Sequence, residues 1–170
     1  MAESNRDRIN PSLLDRLTDE GPGSGAAARS GQSLTLSELR RSVLRDLNWL
    51  FNSTQVLGAE ESEAWPQVRN SVVNYGLPAL SGASASSIDI VRLERALRQA
   101  IIDFEPRILP DSISVKALLE RQSVDHHNLV SLHIEGMLWA QPVPIELLLR
   151  TQLDLESGQN RVDETVAGRR

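Results

Sequence analysis

The sequence predicts an α+β fold: two main amphipathic helices packed on one face of a C-terminal antiparallel sheet, with a flexible N-terminal arm. Three observations carry that expectation. Apolar residues recur at helical spacing over residues 35–52 and 87–104. The period then drops to two in the last third of the chain, the mark of half-buried strands. The connections between the alternating stretches, 120–127 and 139–143, are short, which favours consecutive antiparallel pairing. The chain has 170 residues, enough for one domain with a buried core. We place that single domain at 34–156, behind an arm at 1–33 and ahead of a disordered tail at 157–170.

The arm is read from composition. Gly21-Pro22-Gly23-Ser24-Gly25-Ala26-Ala27-Ala28 offers too little apolar area to fold by itself. One stretch stands apart, Pro11-Ser12-Leu13-Leu14-Asp15-Arg16-Leu17, where Pro11 and Ser12 suit a helix start and three leucines share a face. A helix at 12–18 is too short to be stable alone. It is either a frayed tail or a docking helix that orders against a partner, and three leucines in a polar tail favour docking.

In the first long helix Leu39, Val43, Leu47 and Leu50 form the apolar stripe, widened by Leu44 and Phe51. Ser37 and the Thr35-x-x-Glu38 capping box are rival start signals. Arg40, Arg41, Arg45, Asp46 and Asn48 are expected on a solvated opposite side. Residues 53–64 read as polar loop, and Trp65 to Pro78 as a short helical turn closed by Gly76 and Pro78. After a second small-residue loop at 81–86, the helix at 87–104 starts from Ser86 or Ser87, with Asp89 in its first turn. Its stripe is Ile90, Leu93, Leu97, Ile101 and Phe104, and Pro106 stops it. Alternation then marks three strands, around Ile113–Ala117, Val130–Ile134 and Ile145–Leu153.

Composition excludes several function classes. Without cysteine there is no disulfide framework, thiolate metal site or cysteine nucleophile. The polar first residues lack the apolar stretch of a secretory signal, and no apolar run approaches the ~20 residues of a membrane span, so a cytoplasmic protein is expected. The net charge of −5 is spread along the chain, and only six residues are aromatic, which disfavours nucleic-acid and sugar stacking sites.

The residues with chemical potential are few. His126 and His127 fall in a loop, and His133 with Glu135 on one strand face supplies two metal ligands where at least a third is needed. No serine sits in a nucleophile elbow and no glycine loop cradles phosphate. Glu105 lies near Asp103 and Asp111, but a neighbouring Arg107 is the wrong company for a general acid. Within Glu105-Pro106-Arg107 the proline accounts for the helix stop. An acid at the negative end of a helix dipole is unfavourable, so a defined polar contact is expected there, either within the chain or with a partner.

Four segments occur in order: Ser12-Leu13-Leu14-Asp15-Arg16-Leu17, Leu47-Asn48-Trp49-Leu50-Phe51-Asn52, Ser71-Val72-Val73-Asn74-Tyr75-Gly76-Leu77-Pro78 and Phe104-Glu105-Pro106-Arg107-Ile108. Together, over about residues 11–155, they resemble the TssE family, baseplate subunits of type VI secretion related to a wedge protein of contractile phage tails. The family often closes its first helix with Asn-Thr-Arg where this chain has Asn52-Ser53-Thr54, a change that removes a charge. The resemblance implies a non-enzymatic subunit that links the baseplate wedge to the sheath and templates sheath polymerisation, in the cytoplasm within a membrane-docked baseplate. The implied partners are other wedge subunits and sheath subunits, with no cofactor, metal, nucleic acid, membrane insertion or small-molecule substrate. Glu105, Pro106 and Arg107 would make contacts within the baseplate, and Leu13, Leu14, Asp15, Arg16 and Leu17 would dock on the wedge. The sheet would accept a sheath strand by β-augmentation, with a free edge expected at 143–155 carrying Leu147, Leu149, Thr151 and Leu153. The family's inherited lysozyme-like label makes a peptidoglycan hydrolase using Glu105 the alternative, though no residue pattern supports hydrolysis. A general adaptor binding helices through the 39–51 or 90–104 faces is a third reading.

Overall fold

Helix α1, Leu36–Phe51, starts where its capping box places it: the Thr35 hydroxyl accepts from the Glu38 amide at 3.3 Å, and the Glu38 carboxylate accepts from the Thr35 amide at 2.7 Å. Of the two rival signals Thr35 wins, because its box satisfies two orphan amides at once. The computed structural model describes residues 14–15, 35–79, 89–118, 129–140, 143–155 and 157–165. The expectations for Leu13, Arg16, Leu17, the 21–28 and 81–86 stretches, and His126–His127 lie outside those residues. Leu39, Val43, Leu47, Leu50 and Phe51 of α1 are buried, as the helical spacing requires.

The polar loop expected at 53–64 contains a short helix, α2, Ala59–Ala64, followed at once by α3, Pro66–Arg69, and a 3-10 turn at Val72–Asn74. The sequence of α2 has no apolar periodicity to announce it. It starts locally, with the Glu61 carboxylate accepting from the Gly58 amide at 3.1 Å. The segment is tied back on itself near Gly76, where the Leu77 amide donates to the Ser53 carbonyl at 2.8 Å and the Gln55 amide to the Leu77 carbonyl at 2.9 Å. Gly76 has φ +127°, and a Cβ there would lie 2.4 Å from the Ser53 carbonyl oxygen, so only glycine fits. Buried Asn74 accepts from the Leu57 amide at 2.9 Å, and Tyr75 stacks edge-on against Phe104 at 5.1 Å.

Helix α4, Ile90–Phe104, begins later than expected: Asp89 is its N-cap, accepting from the Arg92 amide at 3.1 Å. Its buried residues, Leu93, Leu97, Ala100 and Ile101, join those of α1 and of the sheet in one core. The sheet is an antiparallel meander in sequence order: β1 (Ser114–Leu118), β2 (Leu129–Leu138), β3 (Ile145–Asp154) and β4 (Asn160–Glu164). Register follows the alternation. Ile134 pairs with Val115 and Leu149, Leu132 with Thr151, and Val130 with Leu153, which collects the apolar side chains on the core face.

Two expectations about the end of the chain need correction. Part of the tail expected to be disordered, Asn160–Glu164, is strand β4, paired with β3 from Leu149↔Glu164 to Leu153↔Asn160. With one apolar residue, Val162, β4 carries almost no hydrophobic signal. Its position comes from the ladder and from α1, whose Arg40 meets Glu164 at 3.0 Å. Consequently the free edge expected at 143–155 is covered over its second half: β3 pairs with β2 along Ile145–Asp154 and with β4 over Leu149–Leu153. Leu147, Leu149, Thr151 and Leu153 are fully buried, so their side chains face the core and cannot meet a partner.

Candidate functional site

The chain leaves α4 with the Glu105 amide still bonded to the Ile101 carbonyl at 2.9 Å, and Pro106 then prevents a further turn. The resulting corner lets Arg107 fold back on Glu105. The Glu105 Oε1 accepts from Arg107 Nε at 2.7 Å and from the Arg107 amide at 3.2 Å, while Oε2 accepts from Nη2 at 2.6 Å. This bidentate pair answers the adverse dipole noted from sequence, because the acid faces a guanidinium instead of bare carbonyls. The remaining donors of Arg107 reach α1: Nη1 donates to Ser42 Oγ at 2.9 Å and Nη2 pairs with Asp46 Oδ2. Its backbone reaches the sheet, where its carbonyl accepts from the Trp139 amide at 2.7 Å and Ile108 bridges to Leu138. A Cβ on Gly136 would stand 3.0 Å from Ile108 Cγ2, so that glycine lets the corner approach β2. Three elements meet at one arginine.

The electrostatics follow from this arrangement. Burial alone would lower the Arg107 pKa; hydrogen bonds and charge from Glu105, and then from Asp46, outweigh it and hold the guanidinium above its ordinary value. Arg45 is raised in the same way, with burial opposed by Asp46 and Asp15. The Tyr75 hydroxyl is raised by burial, then by the charges of Asp46 and Glu105. The side of α1 expected to be solvated is therefore not uniformly so: Arg45 and Asp46 are half-buried members of this network, and Arg45 also lies over the Trp49 ring at 5.4 Å.

Glu105 is 3% exposed with both oxygens occupied, so it offers neither a partner contact nor access for a substrate; of the motif, Pro106 is exposed and the Arg107 side chain is 21% exposed. The arm meets the same network. Asp15 Oδ2 accepts from Ser42 Oγ at 2.8 Å, and Oδ1 pairs with Arg45 at 2.8 Å. His133 pairs across the sheet with Lys116 and Arg150, a cationic row unsuited to a metal, and among the described residues no three His, Asp or Glu side chains converge.

The two outer strands are met by different helices. On β1 the outward Ala117 amide donates to Glu94 Oε1 at 2.7 Å, and just before the strand the Ile113 carbonyl accepts from Arg98 Nε at 3.0 Å. On β4 the Asn160 amide donates to Asn52 Oδ1 at 2.9 Å and its carbonyl accepts from Asn52 Nδ2 at 2.9 Å. Alternation turns the amides and carbonyls of Val162 and Glu164 to that same outer side. Sequence reasoning missed Ser42, Asp46, Glu94, Arg98 and Asn160 as site residues. Ser42 left one trace, a small polar residue three positions after Leu39 on the buried face.

Comparison with protein families decides the identity. Residues 37–143 match the family described as baseplate wedge protein gp25. The chain belongs to that family. No curated protein and no solved structure matches it. As a gp25-family chain it is a baseplate wedge component of a contractile machine. The match runs from α1 to the end of the β2 region, so it contains Ser42, Asp46, Glu105 and Arg107 but neither Asp15 nor β4. Among the described residues no helix is long and apolar enough to cross a membrane.

Proposed function

We propose that this chain is a structural, non-catalytic subunit of a type VI secretion baseplate, in the cytoplasm, that joins the wedge to the sheath and starts sheath polymerisation by accepting a sheath strand. The strand is added at β4, not at the expected 143–155 edge. The observation that carries this is that, among the described residues, no side chain bonds the outward amides and carbonyls of Val162 and Glu164, while α4 takes the Ala117 amide of β1 and the Ile113 carbonyl just before it. Main-chain groups at an uncovered edge give an incoming strand its affinity. Glu105 and Arg107 act from within, holding α1, the α4 corner and β2 in one geometry, while exposed Pro106 and the accessible part of Arg107 meet the wedge.

The test is amide exchange on the subunit alone and bound to sheath protein. Expected is new protection at Val162 and Glu164 with β1 unchanged; protection appearing on β1 instead, or on neither strand, would end this reading. A variant lacking the clamp, Arg107→Ala, is expected to lose about 3 kcal/mol, because it leaves the buried Glu105 carboxylate unpaired. Urea unfolding measures it.

A further inference from the structure

The arm and the Glu105–Arg107 corner are distant in sequence, yet the Ser42 hydroxyl bonds both directly, beside a longer route through Arg45 and Asp46. Ser42 Oγ has one proton and two lone pairs. The proton goes to Asp15 Oδ2 at 2.8 Å; the lone pairs accept from Arg107 Nη1 at 2.9 Å and Arg45 Nη2 at 3.3 Å. Ser42 is buried, the Asp15 side chain is 14% exposed, and its other oxygen is held by Arg45 at 2.8 Å. Leu14 beside it remains 38% exposed, so the contact seen at this point of the arm is a seated carboxylate more than a buried leucine.

We propose that the arm is a latch held in cis: in the isolated subunit the Asp15 carboxylate occupies a seat built from Ser42 and Arg45, and through Ser42 its presence sets the hydrogen bonding of Arg107. Two charge-assisted contacts hold the carboxylate, the Ser42 hydroxyl on one oxygen and the Arg45 guanidinium on the other. Opening the latch removes the acceptor of the Ser42 proton. The state of the arm is thus reported at the corner that ties α1, α4 and β2 together. This inference concerns the free chain and stands apart from the strand-addition reading.

The experiment is amide exchange and side-chain NMR on the full chain, comparing the natural sequence with Asp15→Asn and with the control Asp19→Asn. Exchange around Asp15 is expected to accelerate about ten- to a hundredfold in Asp15→Asn and not in the control. The Arg107 Nε–H resonance should shift in the same variant, while thermal stability of the domain stays near that of the parent. Arm amides exchanging at unstructured rates in the parent, or equal protection in Asp15→Asn, would overturn the latch. An unmoved Arg107 resonance would overturn its coupling to the corner.

Discussion

β1 and β4 close the same four-stranded sheet, one on each side, but the helices treat them differently. Helix α4 lays Glu94 and Arg98 against β1 and takes up outward groups at Ala117 and Ile113. The C-cap of α1, Asn52, takes up both outward backbone groups of the first residue of β4, and Arg40 of α1 meets the last by an ion pair of side chains. Under the strand-addition proposal, the outward groups of Val162 and Glu164 give the sheet its direction of growth. The difference is made by side chains of helices, not by the strands, whose lengths are equal at five residues.

The largest effect should come from breaking the open edge. Val162→Pro removes an outward amide at a position where the ladder to β3 tolerates proline, so the fold should lose about 1 kcal/mol while sheath assembly in cells falls to background. Normal sheaths in that variant would move the strand-addition site elsewhere. Next, Glu94→Ala with Arg98→Ala uncaps β1. Urea unfolding should show a loss of about 2 kcal/mol, and sedimentation should show new self-association; a variant that stays monomeric would mean β1 is guarded by something else. Asn52→Leu takes away the clamp on Asn160 and should cost about 1–2 kcal/mol, with faster exchange confined to β4. The smallest effect is a control that touches neither edge. Thr151 is buried in β3 with a hydroxyl that finds no partner among the described residues, so Thr151→Val should stabilise by about 1 kcal/mol and leave assembly as it was.

The sequence made the α+β class and both long helices legible because periodicity reports burial, and Leu39, Val43 and Leu47 or Leu93 and Leu97 had to face a core. β2 and β3 were legible for the same reason. β4 was not, because a strand supported by pairing and by polar contacts with α1 and its C-cap needs no apolar alternation. The Glu105-Pro106-Arg107 segment was legible as a place where something polar happens. Its direction was not: the choice between an internal pair and a partner contact depends on Ser42 and Asp46, sixty-odd positions earlier, being within reach. Burial of Leu147 and Leu149 could be read from alternation, but whether β3 was an edge depended on a strand that alternation did not announce.

The Asn52–Asn160 clamp spans 108 positions, and the Arg40–Glu164 bond spans more. Contacts that far apart in sequence close late, after the local hairpins and helices exist. The β3–β4 hairpin can form on its own residues, yet it is seated only when α1 has already been laid against the core. Timing is therefore built into this edge: a chain still emerging, or one whose core has not closed, has no fixed strand to offer. Under the strand-addition proposal, folding to completion becomes the licence for assembly, and unfinished subunits are left without a place to start a polymer.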